Sequence, residues 1–158
     1  MYCVVRSKTV SAAHNAQRPT QHHAVPRLLA QQPNDVWTWD ITKLATLRRG
    51  VYLSLYVVLD LYSRFAVAWM VSRKENSALA QQLMRQAVER YAVSSHSRPR
   101  VSNDNPFSES QFKTSKYQPD YPGRFESIVH ARQWYSAYVD WYNLQHHHSG
   151  LAGFTPEQ

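Results

Sequence analysis

Cysteine is almost absent from this chain: Cys3 is the only one in 158 residues. A single thiol builds neither a disulfide framework nor a cysteine-based zinc site. Acidic residues are also scarce, 11 Asp and Glu against 18 Lys and Arg, which leaves a net charge of +7 and a pI of about 9.7. With arginine far ahead of lysine, such a surface favours phosphate backbones or acidic membranes as partners. The first thirty residues lack the continuous apolar segment of a secretory signal, since MYCVV is only mildly apolar. One long apolar run exists, Val51 to Val71, but Asp60, Ser63 and Arg64 lie at its centre. Charges there are costly in a bilayer, so the run reads as two strands and a turn, and no membrane partner is expected. There is no internal repeat and no upstream helix-turn-helix. What is present is a 43% hydrophobic, 13% aromatic chain of single-domain length, able to bury a core and expected in the cytoplasm.

Residues 1–32 are polar and basic, interrupted by Pro19 and Pro26, and read as a flexible leader. The histidines of QHH at 21–23 have no cysteine or second spaced pair to make a metal site. Structure is expected from residue 33 to 158. In NDVWTWDITKL, Trp37, Trp39 and Ile41 alternate with Thr38, Asp40 and Thr42. That is the period of a strand with one apolar face, so Asp40 projects opposite the tryptophans. TLRRG, with Arg48, Arg49 and Gly50, is a turn. VYLSLYVVLD is β-branched and aromatic with little alternation, as in a strand covered on both faces, and FAVAWMVSR supplies a third strand. Short connections favour an antiparallel meander.

ENSALAQQLMRQAVERYA is an amphipathic helix capped by Asn76 or Ser77, with Leu79, Leu83, Ala87, Val88 and Tyr91 at helical spacing. VSSHSRPRVSND is basic and aperiodic. Asn105-Pro106 then opens a second helix, with Phe107 and Phe112 as candidates for its buried side and Glu109, Lys113 and Lys116 on another face. A long helix follows from about Glu126 to Gln145, with Ile128, Tyr135, Val139 and Tyr142 along one stripe. TPEQ at the end reads as a helix start, an N-cap Thr before Pro and an acidic first turn.

Two readings compete for Glu109. One is a solvated Glu–Lys pair at i, i+4, worth about 0.2–0.5 kcal/mol. The other is one corner of a carboxylate site shared with Asp40, since a strand aspartate and a helical glutamate can together supply oxygen ligands to magnesium. Three further readings concern basic and histidine groups. His146–His148 are neighbours that point in different directions rather than a metal cluster. Arg48 and Arg49 are a solvated hairpin tip or a DNA contact. Arg98, Arg100, Lys113 and Lys116 form a basic cluster fit to position phosphates without reading sequence.

Four segments, PNDVWTWDITKL, YLSLYVVLDLYSRFAVAWMVS, SRPRVSNDNPFSESQFKTSKY and WYNLQHHHSGLAGFTPEQ, together resemble the integrase core of bacterial insertion-sequence transposases. These are relatives of the retroviral integrases and carry an aspartate–aspartate–glutamate triad. The resemblance covers about residues 33–158 in the family's order. It implies an α/β, ribonuclease H-like fold: three antiparallel strands, a helix, two further strands, and helices around the sheet. It implies DNA transposition by metal-dependent phosphoryl transfer, with Mg2+ or Mn2+ as cofactor, DNA as substrate, homo-oligomers or intact transposase as partners, and a nucleoid-associated location. Asp40 in TWDITK matches the first catalytic, metal-binding aspartate, and Glu109 in NDNPFSES matches the glutamate. Lys116 matches the basic residue that contacts DNA after it.

The second aspartate has no match. The family places it at the end of a fourth strand between the first helix and the glutamate helix, yet only residues 92–105 lie between Tyr91 and Pro106. A strand, a helix and another strand need roughly 5, 11 and 5 residues. The expectation is therefore an incomplete fold. An internal deletion near 92–95 removes the fourth strand, one helix, most of the fifth strand and the second aspartate, and leaves a catalytically defective chain that holds magnesium poorly. The alternatives are a DNA-binding or oligomerisation remnant that modulates intact transposase, or a product without function. Asp60, Asp104 and Glu75 are the other acids nearby, and each reads as structural or surface rather than as a replacement ligand. The facing of Asp60 depends on a strand register the sequence leaves open, because one residue of slip reverses it.

Overall fold

The computed structural model describes residues 29–91, the backbone of 100–102, and residues 106–158. Most of the leader, Arg98, and the acid Asp104 lie outside the described residues. Three strands form the expected antiparallel meander: β1 (Val36–Ala45), β2 (Tyr52–Asp60) and β3 (Ala66–Ser72). Trp37, Trp39 and Ile41 of β1 face one side, with Thr38, Asp40, Thr42 and Leu44 on the other, as the alternation predicts. β2 is buried on both faces from Leu53 to Asp60. Leu55, Val57 and Leu59 enter one core cluster, and Tyr56 and Val58 enter the other.

Helix α1 (Ser77–Tyr91) covers the tryptophan side through Ala80, Leu83 and Ala87. Its cap is Asn76, whose carboxamide oxygen accepts from the Ala78 N–H at 2.8 Å. The opposite side is covered by α2 (Pro106–Lys116) and α3 (Ile128–Leu144). Helix α3 starts at Ser127, whose hydroxyl accepts from the His130 N–H, and buries Tyr135, Tyr138, Val139 and Tyr142.

A fourth strand, β4 (Arg100–Ser102), pairs parallel with Val36–Thr38, so the sheet order is β3-β2-β1-β4. No strand is legible in this basic stretch from sequence, because three residues are too few to display a period. Among the described residues, β4 runs beside the first three residues of the ten-residue β1. At the far end of β1 that same side is closed by Phe125, whose N–H donates to the Ala45 carbonyl at 2.9 Å while its carbonyl accepts from Leu47.

The β3 edge is closed by side chains. The buried Asn143 carboxamide accepts from the Ala66 N–H at 2.8 Å and donates to the Ala66 carbonyl at 3.2 Å. The Arg132 guanidinium donates to the Val71 carbonyl at 3.0 Å. Exposed strand edges invite pairing with other chains, and these two residues of α3 occupy this one.

One expectation is corrected: Phe107 is not in the core; it is 37% exposed, and Phe112 alone of the pair is buried. A 3-10 turn spans Ser149–Leu151, and in TPEQ the Gln158 side chain accepts from the Thr155 N–H at 3.1 Å while the Gln158 N–H donates to the Thr155 carbonyl, bonding that suits a capped first turn.

Gln111 is the exception to good pairing within α2. It is 1% exposed, and neither end of its carboxamide has a partner among the described residues. Leaving such a group unpaired costs about 1–3 kcal/mol. Gln111→Met, close in volume and without polar hydrogens, is expected to raise stability by about 1–2 kcal/mol and the Tm by a few degrees. Thermal and urea unfolding of the two chains would check it, and an unchanged or lower midpoint would refute it.

Candidate active site

Asp40 lies on the sheet face that α2 covers. In register, Asp40 stands opposite Val57 and Thr42 opposite Leu55, both members of the cluster beneath α2 and α3. The Asp40 side chain is half-buried, and one oxygen accepts from the N–H of Ile41 at 2.8 Å.

Helix α2 is placed over this face by contacts at both ends. Near its C-terminus the Lys116 ammonium donates to the Thr42 hydroxyl at 2.9 Å. Near its N-terminus, the Phe107 ring lies under the Arg64 guanidinium, 3.5 Å from carbon to ring centroid. Arg64 belongs to the β2–β3 turn, at the end of the sheet where Asp60 pairs with Trp37. The helix therefore runs in the same sense as β1. Glu109 is seven residues before Lys116, about 10 Å back along the helix. That equals about three residues of strand back from Thr42, which brings Glu109 to within about one residue of Asp40 along β1. The helix is held in depth by Phe112, by the Ser115 and Tyr135 hydroxyls at 3.3 Å, and by the Tyr138 hydroxyl donating to the Gln111 carbonyl.

Glu109 and Lys113 are exposed and form no ion pair: among the described residues the ion pair is Lys43–Glu75, at 2.6 Å. Solvated pairing is thus not what occupies the Glu109 face. Glu75 is committed to that pair at an exposed site and stands apart from Asp40.

The open question about Asp60 is answered by register. Asp60 stands opposite Trp37, and Trp37 faces the other side of β1 from Asp40, so the two aspartates point to opposite faces of the sheet. Asp60 is 1% exposed and its oxygens are occupied. One accepts from the Asn34 N–H at 3.0 Å; the other accepts from the Ser63 N–H at 2.8 Å and the Ser63 hydroxyl at 2.6 Å. It closes a turn and cannot join Asp40. Among the described residues no group of three acidic, histidine or cysteine side chains could hold a metal ion. The carboxylates that the helix and strand rises bring to similar heights are Asp40 and Glu109. Two carboxylates supply too few oxygens for a two-metal centre.

The histidines after α3 are more ordered than their sequence suggests. His146 and His148 are two apart on extended chain and meet, with ring centroids 4.4 Å apart, against Tyr142. His147 points elsewhere, to the Gly153 carbonyl at 2.6 Å. Burial, then the neighbouring His146 and Arg64, hold His148 neutral by pushing its pKa down to about 4. A polar residue on a buried stripe was the available signal for Asn143; nothing local marks Arg64 as a contact of α2.

Among the described residues, no helix is long and apolar enough to cross a membrane. In comparisons with known proteins, integrase core domain families match residues 30–114 and 90–156. A protein described as the transposase InsO for insertion sequence element IS911B of Escherichia coli K12 is 38% identical over 74 residues, 44% of this chain and 36% of that protein. The transposase for insertion sequence element IS904 of Lactococcus lactis is 29% identical over 158 aligned residues, 81% of this chain and 62% of that protein. The chain thus spans about a third to three-fifths of the curated relatives it matches. The HTLV-2 integrase catalytic core, solved in complex with magnesium in dimeric and trimeric forms, shares the fold with TM-scores of 0.52 and 0.53 at 18% and 16% identity. Those alignments cover 82% of this chain and 97–98% of the viral ones. With its α/β sheet of three antiparallel strands flanked by helices, and with the matched segments taking in more than half its length, this chain belongs to the integrase core family of the bacterial insertion-sequence transposases and has the ribonuclease H-like fold.

Proposed function

We propose that this chain derives from a DNA transposase whose catalytic carboxylates include Asp40 and Glu109, and that an internal deletion near residues 92–95 has removed the third. The observation that carries this reading is the placement of α2. Its Lys116 is pinned to Thr42 on the Asp40 face, and the rises of helix and strand bring Glu109 to within about one residue of Asp40 along β1, while Asp60 is turned to the opposite face. Two further observations support a deletion. β4 pairs with three residues of β1 and is followed within four residues by the Glu109 helix. The alignment with the Lactococcus relative runs over 158 positions but takes in 81% of this chain, about 128 residues, so about 30 positions of that relative have no counterpart here.

On this reading the pair Asp40 and Glu109 would be metal ligands in a complete site, where a divalent cation polarises the phosphodiester. The truncated chain falls short of that donor set and is catalytically defective. Its basic groups persist: Lys113 and Lys116 are exposed on α2, next to the site. Together with Arg98 and Arg100, whose side chains lie outside the described residues, they would hold DNA phosphates, a sequence-independent and salt-sensitive interaction that fits association with the nucleoid. A remnant that binds DNA or intact transposase, and so modulates it, remains within reach of such a surface.

The test is strand transfer with Mg2+ or Mn2+ on element-end DNA. The purified chain is expected to give product at background, unaltered by Asp40→Asn or Glu109→Gln, while retaining a gel shift that weakens with salt. Product abolished by either substitution would overturn the claim of inactivity.

A further inference from the structure

The turn between β1 and β2 carries Arg48 and Arg49, and both are exposed. Among the described residues the ion pair is Lys43–Glu75, so neither arginine is matched to an acid. The turn itself is firmly built. The Thr46 N–H donates to the Val51 carbonyl at 3.2 Å, and the Val51 N–H donates to the Arg48 carbonyl at 3.1 Å. The Thr46 hydroxyl donates to the Val51 carbonyl at 2.8 Å, and Gly50 at φ 79° supplies the left-handed residue.

The turn is also tied to a distant segment. The Leu47 N–H donates to the Phe125 carbonyl at 3.1 Å, and the Arg124 guanidinium donates to the Thr46 carbonyl at 3.0 Å. Arg124 is exposed and has no acid partner, so it adds a third guanidinium at this end of the sheet. Glu126, the acid that follows Phe125, forms no ion pair with any of the three. Cations carried on a braced turn lose less freedom when they bind an anion.

These arginines continue a series that starts at the site. The Lys116 ammonium rests on Thr42, with Lys113 one turn earlier on α2, and both lysines are exposed and unpaired with acids. Thr46, which holds Arg124, is four residues beyond Thr42, about 13 Å along the strand direction. From Asp40 outward the cations are therefore Lys113 and Lys116, then Arg124, then Arg48 and Arg49. Asp40 to Thr46 spans about 20 Å, the length of about six base pairs of duplex.

We propose that the β1–β2 turn is the outer end of a phosphate track: duplex DNA leaves the Asp40 face along β1, and Arg48 and Arg49 hold its backbone about six base pairs away. The inference rests on the reading of this chain as a DNA-binding transposase derivative, and adds the direction in which the duplex runs.

Binding of the full chain to a duplex of about 20 base pairs, measured between about 50 and 200 mM salt, tests it. Arg48→Gln with Arg49→Gln is expected to weaken binding about tenfold or more at 0.1 M salt and to reduce the slope of log K against log salt by about 2. The urea midpoint should not move, because the bonds that build the turn come from the main chain and Thr46. Arg85→Gln with Arg90→Gln removes the same two charges from exposed positions on α1, which covers the other side of the sheet, and should change the slope by less than half as much. Equal effects of the two pairs would mean that net charge alone acts, and would overturn the track. An unchanged slope in the Arg48 and Arg49 variant, with the parent chain binding DNA, would overturn the track and leave the DNA reading standing. Loss of binding to phosphatidylglycerol vesicles with duplex binding intact would assign the turn to a lipid surface instead. No binding by the parent chain would overturn the DNA reading and the track together.

Discussion

If the proposed deletion is right, inserting between Ala92 and Ser95 a segment of about thirty residues, the number by which the alignment with the Lactococcus relative exceeds the residues of this chain that it takes in, is expected to restore metal-dependent strand transfer. The gain should be on the order of 10³-fold or more over the truncated chain, the scale on which loss of a group indispensable to the reacting atoms is felt. The physical reason is the donor count. On the proposed reading the site keeps Asp40 and Glu109, and two carboxylates do not clamp both the attacking and the leaving oxygen of a phosphodiester. The returned segment would supply the third carboxylate and extend the parallel pairing along β1, which β4 begins but leaves after Thr38. A variant of the inserted segment with its aspartate changed to asparagine separates the two contributions. It should recover stability, measured by urea unfolding, and no activity. If the intact insertion folds but transfers no strand, the deletion is not what disables the chain.

Asp60→Ala is expected to cost about 3–4 kcal/mol, a large share of the 5–15 kcal/mol that holds a domain of this kind together. The Asp60 carboxylate is buried and accepts from two backbone N–H groups and one hydroxyl, and alanine leaves those donors unpaired. The damage does not stop there. Asn34, in a left-handed conformation at φ 66°, is held by Asp60 and accepts from the indole N–H of the fully buried Trp37 at 3.1 Å. Losing the carboxylate therefore loosens both the turn and the entry to β1. The midpoint of urea unfolding should fall with its slope unchanged. A loss under 1 kcal/mol would mean that the turn is held by other contacts and that Asp60 is dispensable.

The two results would divide the acids of this chain by role. Asp60 matters for folding and stands on the sheet face opposite Asp40, the face that α2 and its Glu109 do not cover. The composition sets all of these acids on equal terms, and the resemblance to the transposases marks only Asp40 and Glu109.

Much of the fold was legible beforehand because burial has a period. Trp37, Trp39 and Ile41 alternate with Thr38, Asp40 and Thr42, which decides the facing of Asp40 within its own strand. The unbroken apolar run of β2 announces burial on both faces, and the stripe through Tyr135, Val139 and Tyr142 announces the inner face of α3. These are local properties, written within ten to twenty residues. Other features depend on partners far apart in the chain, and no window of sequence holds both members. Asp60 faces away from Asp40 because of the pairing of Trp37 with Asp60, a matter of register that a one-residue slip would reverse. Asn143 closes the β3 edge across 77 residues of chain, Lys116 reaches Thr42 across 74, and Arg64 stacks on Phe107 across the whole of α1. Periodicity could not reveal β4, because three residues carry no period; only the resemblance left room for a strand remnant there. The sequence by itself determined which residues could be chemical and which face of each element is apolar. The tertiary structure alone decided which acids can meet, because facing across strands is set by register and by contacts between distant segments.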